Sequence, residues 1–163
     1  DDAAESLAPF VPTPIEVVQE MLKLAEVTKD DVIYDLGCGD GRIVVEAAKT
    51  YGARGVGIDY DPKRCEEARQ RAEKEGVADR VEIRREDVTK ADFSDATVIS
   101  MYLLPSSNNI LKPKLLKLRP GTRIVSHDFD IDGWKPLKVQ EVDQGHGHTL
   151  YLWKVGEGEK PEE

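Results

Sequence analysis

Between Val32 and Ile43 the chain runs from a β-branched stretch into Asp35, then through Gly37, Gly39 and Gly41 at alternate positions, then into an amphipathic run. Each glycine loses more backbone freedom on folding than any other residue, so it belongs where the chain turns with positive φ or approaches something a Cβ would strike. Three of them in five residues are more than an ordinary turn between a strand and a helix requires. The segment is expected to be a strand, a ligand-cradling loop and a helix. A chain that carries it is committed to an α/β architecture.

The spacing bears on the ligand. A dinucleotide loop reads G-x-G-x-x-G and sets a helix N-terminus against a pyrophosphate. Here the order is G-x-G-x-G, and Asp35 stands two residues before the first glycine. A carboxylate at that point repels phosphate and suits a cation. S-adenosylmethionine carries an ammonium and a sulfonium and no phosphate, so both features favour it over a nicotinamide dinucleotide.

The rest of the chain alternates short β-branched runs with helical runs, as a parallel α/β sheet requires. Thr13-Pro14-Ile15-Glu16 reads as a capping box with Pro at the first helical position. Ile15, Val18, Leu22 and Ala25 then share one face. Strands are predicted at 31–35, 55–59, 80–85, 96–101 and 122–126. Helices are predicted from Gly41 to about Gly52, from Asp61-Pro62 to about Glu75, and over 110–118. Residues 137–142 and 149–155, linked by Asp143 to His148, are expected to form an antiparallel hairpin. The folded domain is placed at 8–156, with flexible polar ends at 1–7 and 157–163.

Two further acids fall at telling places. Asp59 closes the second strand 24 residues after Asp35, where a carboxylate can accept from both hydroxyls of a ribose. Asp87 follows the third strand, where it can accept from an adenine amino group while the Val88 N–H serves a ring nitrogen; a plain turn aspartate is the competing reading.

Asp35 to Gly41, Asp59 and Asp87 at these intervals resemble the cofactor motifs of the class I, Rossmann-like methyltransferases that use S-adenosylmethionine. The likeness runs from about Val11 to Val155. It implies a three-layer sandwich on a mostly parallel seven-stranded sheet ending in an antiparallel hairpin. It also implies a cofactor set of Pro12, Thr13, Asp35, Gly37, Cys38, Gly39, Gly41, Asp59, Tyr60, Asp87 and Val88. A narrower resemblance lies in Phe10-Val11-Pro12-Thr13-Pro14, in Asp40 to Val44, and in Ser126-His127-Asp128-Phe129 followed by Trp134-Lys135-Pro136. These are similar to the small protein-lysine methyltransferases of mitochondria and bacteria, one group of which modifies the ATP synthase c subunit. That resemblance implies a lysine-bearing protein as substrate. A small-molecule acceptor and a silent cofactor-binding module stay open at this point.

A class I enzyme places its target after the fourth strand, which here is Met101-Tyr102-Leu103-Leu104-Pro105. Tyr102 is the candidate to orient an amine and Asp128 to take its proton. Phe10, Met101, Leu103, Phe129 and Trp134 are the candidate pocket walls. His127, His146 and His148 invite a metal reading, but no metal is expected, because His146 and His148 fall in the expected hairpin link without a third placed ligand.

The formal net charge of −9 disfavours a general nucleic-acid binder, whose affinity rests on Lys and Arg meeting phosphates. Arg80, Arg84 and Arg85 are the one basic cluster. No run approaches the roughly 18 apolar residues of a membrane span. Cys38 and Cys65 make no disulfide or metal pattern. The chain opens on Asp1 without a Met, so a removed upstream segment is expected, and a cytoplasmic location follows from where S-adenosylmethionine is made.

Overall fold

Successive side chains of a strand point to opposite faces of its sheet, and the central strands of this protein carry apolar residues on both. On β1 (Val32–Leu36), Ile33 enters one apolar cluster while Tyr34 and Leu36 enter another. On β4 (Val98–Met101), Val98 parts in the same way from Ile99 and Met101. On β5 (Arg123–His127), Val125 parts from Ile124. Strands of this kind need cover on both sides, and the helices supply it in three layers. The computed structural model describes residues 11–158 and 160–162, so Phe10 and the 1–7 segment lie outside the described residues.

With β2 (Arg54–Asp59), β3 (Val81–Arg85), β6 (Lys138–Gln144) and β7 (His146–Lys154), the sheet has seven strands in the order β3-β2-β1-β4-β5-β7-β6. The first five are parallel; β7 runs antiparallel to both β5 and β6. The chain therefore builds outward from β1 to β3 and returns to lay β4 on the other side of β1. That reversal opens a crevice above the C-terminal ends of β1 and β4, where open α/β sheets take their ligands.

Helix α1 (Ile15–Leu24) buries Val17, Val18, Met21 and Leu22, whereas Ile15, expected on that stripe, is 36% exposed. The expected capping box does not form. Pro14 is the N-cap, its carbonyl takes the N–H groups of Val17 and Val18, and the Thr13 hydroxyl is engaged elsewhere. Helix α2 (Arg42–Glu46) continues into one widened π turn, Ala47–Tyr51, and stops at Gly52 as predicted. Helix α3 (Pro62–Lys74) is capped by the Asp61 carboxylate, which accepts the Lys63 N–H. Helix α4 (Pro105–Leu116) begins well before Ile110, because Leu104 stays extended and Pro105 supplies a pre-set first turn.

The hairpin is tighter than its sequence suggests. Gln144 pairs with His146 across Gly145, so most of the expected link is strand. Register then turns His148 inward, where it is 4% exposed. At the opposite end of the sheet Asp31 binds together three strand entrances. It accepts from the Thr28 N–H (2.8 Å), the Thr97 hydroxyl (2.7 Å) and the Arg123 guanidinium.

Candidate cofactor and acceptor site

The loop after β1 curls back over β2: the N–H groups of Gly37 and Cys38 both donate to the Ile58 carbonyl, at 2.8 and 2.9 Å. Gly37, Gly39 and Gly41 all have positive φ, at 79°, 55° and 82°. Gly41 is the most constrained, since a Cβ there would also stand 2.8 Å from the Cβ of Ala68 on α3. The Cys38 side chain turns away from the crevice. Its thiol is buried against Gly57, packed with Val44, Cys65, Ala68 and Ile83. It fills the space under the loop and cannot face a ligand.

Asp35 sits at the floor of the crevice and is also buried. It accepts from the Ser100 hydroxyl at 2.9 Å, a partner placed opposite it by the β1–β4 register. Burial pushes its carboxyl up to about 7, against the pull of Ser100 and with the help of the like-charged Asp59 and Asp40. Asp59, at the end of β2, ties that strand to the loop: Oδ2 accepts the Gly39 N–H at 2.8 Å and Oδ1 the Asp61 N–H at 3.0 Å. Burial raises its carboxyl too, opposed by those backbone donors. Asp40 is different. Burial alone would raise it, but the Arg42 fork (3.0 and 2.6 Å) and Arg71 (3.2 Å) outweigh that and hold it below its usual range.

Past β3, Asp87 caps its own turn through Oδ1, which accepts both the N–H and the hydroxyl of Thr89. Val88 is buried in the core. Tyr60 lies beneath the Arg85 guanidinium, 5.1 Å from its carbon to the ring centre. Tyr60, Arg84, Glu86, Asp87, Lys90 and Asp92 line an open depression of about 570 Å³. The turn reading of Asp87 is thus correct for one oxygen and leaves Oδ2 out of that turn.

On the far side of the crevice the ends of β4 and β5 bring Tyr102, His127 and Phe129 together. The Tyr102 ring centre is 4.0 Å from that of His127 and 6.1 Å from that of Phe129. Thr13 reaches across: its hydroxyl meets His127 Nδ1 at 3.1 Å and its carbonyl accepts from Arg42 at 3.0 Å. The N-terminal strap is therefore bonded to both the loop side and the β5 side. Burial drives His127 down to about 4, opposed by Asp128 and reinforced by His148, so the imidazole is neutral at physiological pH. Asp128 lies beside it, with Oδ1 on the Thr149 N–H and Oδ2 3.5 Å from His127 Nε2. Met101 and Trp134, expected as pocket walls, are core; Trp134 packs on Trp153 and its carbonyl takes the Trp153 indole N–H. Leu103 is buried under Gly37. Sequence reasoning missed Ser100 and gave Arg42, His127 and His148 no part in the cofactor or acceptor site. Arg42 and His127 lay within the motifs that carry the narrower resemblance, and Ser100 carried no signal.

An αβα sheet in this order, with a glycine cradle at β1, acids closing β1 and β2, and a hairpin laid antiparallel beside β5, defines a Rossmann-like methyltransferase. The chain belongs to the ANTKMT methyltransferase domain family, whose model matches residues 35–138. It is 49% identical over 152 residues to a protein-lysine N-methyltransferase of Saccharolobus islandicus, covering 91% of this chain and 94% of that one. It is 31% identical to the rat lysine N-methyltransferase of the ATP synthase c subunit, over 78% of this chain but only 59% of the rat protein. Among solved structures, a Salinibacter ruber protein described as an RNA methyltransferase, in complex with S-adenosyl-L-homocysteine, is 52% identical. It superposes with a TM-score of 0.88 over 94% of this chain and 98% of its own.

Proposed function

We propose that this chain transfers a methyl group from S-adenosylmethionine to the side-chain amine of lysine in a protein substrate. The observation that carries this reading is the 49% identity to a protein-lysine N-methyltransferase along nearly the full length of both chains. The residues present fit the cofactor. Asp35 is a buried carboxyl beside two further acids, so an ammonium is the ligand that would relieve it. In this reading Asp35 and the loop from Gly37 to Gly41 hold the methionine part, with Cys38 contributing backbone only. Asp59 accepts from the ribose. Asp87 Oδ2, the Val88 N–H and the Tyr60 ring serve the adenine, and Pro12 and Thr13 close the near side.

When bound, S-adenosylmethionine supplies an activated methyl for in-line displacement from sulfur. What the protein adds is position and a dry slot. A lysine with a pKa near 10.4 costs about 4–5 kcal/mol to deprotonate at pH 7. The aromatic slot of Tyr102 and Phe129, backed by buried His127, lowers that cost by disfavouring the charged amine. Tyr102 orients the amine through its hydroxyl. Asp128, with one oxygen on Thr149 and the other toward His127, positions that imidazole instead of taking the amine's proton.

A second reading, methylation of RNA, is favoured by the description of the Salinibacter protein. Against it stand the charge of −9 and the engagement of two of the three clustered arginines, Arg84 with Glu82 and Arg85 with the Tyr60 carbonyl. Among the described residues no helix is long and apolar enough to cross a membrane. Radiolabelled S-adenosylmethionine added to a fractionated lysate separates these readings. Label recovered as methyl-lysine in protein is the expected result; label confined to RNA, or to small molecules, refutes the proposal.

A further inference from the structure

We propose that His127, Asp128 and His148 form a binding site for a single transition-metal dication, Zn²⁺, at the junction of β5 and β7. Three donor atoms converge there from two strands. His127 Nε2 is 2.8 Å from His148 Nδ1 and 3.5 Å from Asp128 Oδ2, and one donor from each of the three residues lies within 4.8 Å of the others. Tetrahedral Zn²⁺ with bonds of about 2.0–2.1 Å sets its donors about 3.3–3.4 Å apart. The 2.8 and 3.5 Å separations bracket that value, so small movements of the rings admit the ion. Two imidazoles and a carboxylate form a donor set suited to zinc.

Two of the three outer atoms of this cluster are held as a metal site holds them, while His148 Nε2 is buried without a hydrogen-bond partner among the described residues. His127 Nδ1 meets the Thr13 hydroxyl at 3.1 Å, and with Nδ1–H donating to that oxygen the Nε2 lone pair is directed at His148 and Asp128. Asp128 Oδ1 accepts the Thr149 N–H at 2.9 Å, and the Asp128 N–H donates to the Thr149 carbonyl at 2.6 Å. Such outer partners fix the orientation of metal ligands. His127 and His148 are 0% and 4% exposed, and a single N–H···N bond joins their facing nitrogens. A bound cation would replace that bond with two metal–nitrogen bonds, one to each ring. The His146 ring, exposed and 4.9 Å from His148, marks the side from which the ion enters, and water takes the fourth position. The ion would fasten the terminal hairpin to the end of β5, directly behind the Tyr102 ring.

The test uses the full chain, stripped with a chelator and titrated with Co²⁺, a coloured probe for a tetrahedral zinc site. The expected result is a visible absorption band saturating at one ion per chain, bleached by Zn²⁺, with a higher melting temperature in Zn²⁺ than in chelator. His148→Asn and Asp128→Asn should each weaken Co²⁺ binding by more than about 100-fold. Thr13→Val, which removes only an outer partner, should weaken it about tenfold, and His146→Ala should leave it intact. Melting of each variant in chelator checks that it folds. No band with the wild-type chain overturns the proposal and leaves a hydrogen-bonded histidine pair. A band that survives in folded His148→Asn overturns it equally, since the ion then sits elsewhere.

Discussion

Asp35 is held at about 7 by burial, against the Ser100 hydroxyl and alongside the charges of Asp59 and Asp40. An unfolded aspartate titrates near 3.8, so between these values the folded chain keeps a proton that the unfolded chain has released. The stability linked to that proton is fully present below about pH 4 and is lost as pH rises through 7. At pH 8 the ionised carboxylate costs up to about 4 kcal/mol, taking some three pKa units at 1.36 kcal/mol each. Asp35→Asn keeps the hydrogen bond to Ser100 and removes the charge. It should raise the melting temperature at pH 8, change it little at pH 5, and abolish binding of S-adenosylmethionine. The wild-type chain should release a proton when the cationic cofactor binds, so its affinity should climb from pH 6 to pH 8. Melting curves at both pH values and calorimetry in two buffers measure this. A variant less stable at pH 8 than the wild type would contradict it.

At the scale of elements, Asp31 is the counterpart of Asp35 at the other end of β1. Burial pushes its carboxyl up, but the Thr28 N–H, the Thr97 hydroxyl and Arg123 together outweigh burial and leave it below its usual range. A lowered carboxyl contributes stability that is present above its unfolded pKa and is lost as pH falls through the folded one. Removing one member of a buried pair strands the other. Because Arg123 keeps 19% of its side chain exposed, Asp31→Ala should cost about 2–4 kcal/mol at pH 7, somewhat less than a fully buried pair. Urea melts at pH 7 and at pH 3 check this, and the gap to wild type should narrow at pH 3. The same contrast explains what was legible in the sequence. Strands and the cradle write themselves locally, in β-branched runs and in glycines whose φ must be positive. Thr13 was misread because a partner 114 residues away, His127, took the hydroxyl that a helix cap would use. Met101 and Trp134, buried in the core, were misread because sequence places a residue beside a ligand without saying which face it turns. The hairpin histidines were hidden because a turn of the single residue Gly145 let β7 run back through them.

For the whole molecule the deciding quantity is the charge of −9 set against the charge of the acceptor. A substrate segment bearing lysines is drawn to an acidic protein at long range, whereas RNA is repelled, and salt screens both effects. The screening length falls from about 10 Å at 0.1 M to about 3 Å at 1 M. Raising salt from about 50 mM to 500 mM should therefore lower kcat/KM for a lysine-rich protein substrate about three- to tenfold, chiefly through slower encounter. S-adenosylmethionine carries only one net positive charge, so its own binding should change less. An RNA acceptor would give the opposite sign, because screening relieves its repulsion from the protein before any local arginine contact is lost. Initial-rate measurements at several salt concentrations, with cofactor saturating, distinguish the two. A rate on protein substrate that rises with salt would mean that the acceptor approaches against the field of the molecule, and lysine-rich segments would then be the wrong class of target.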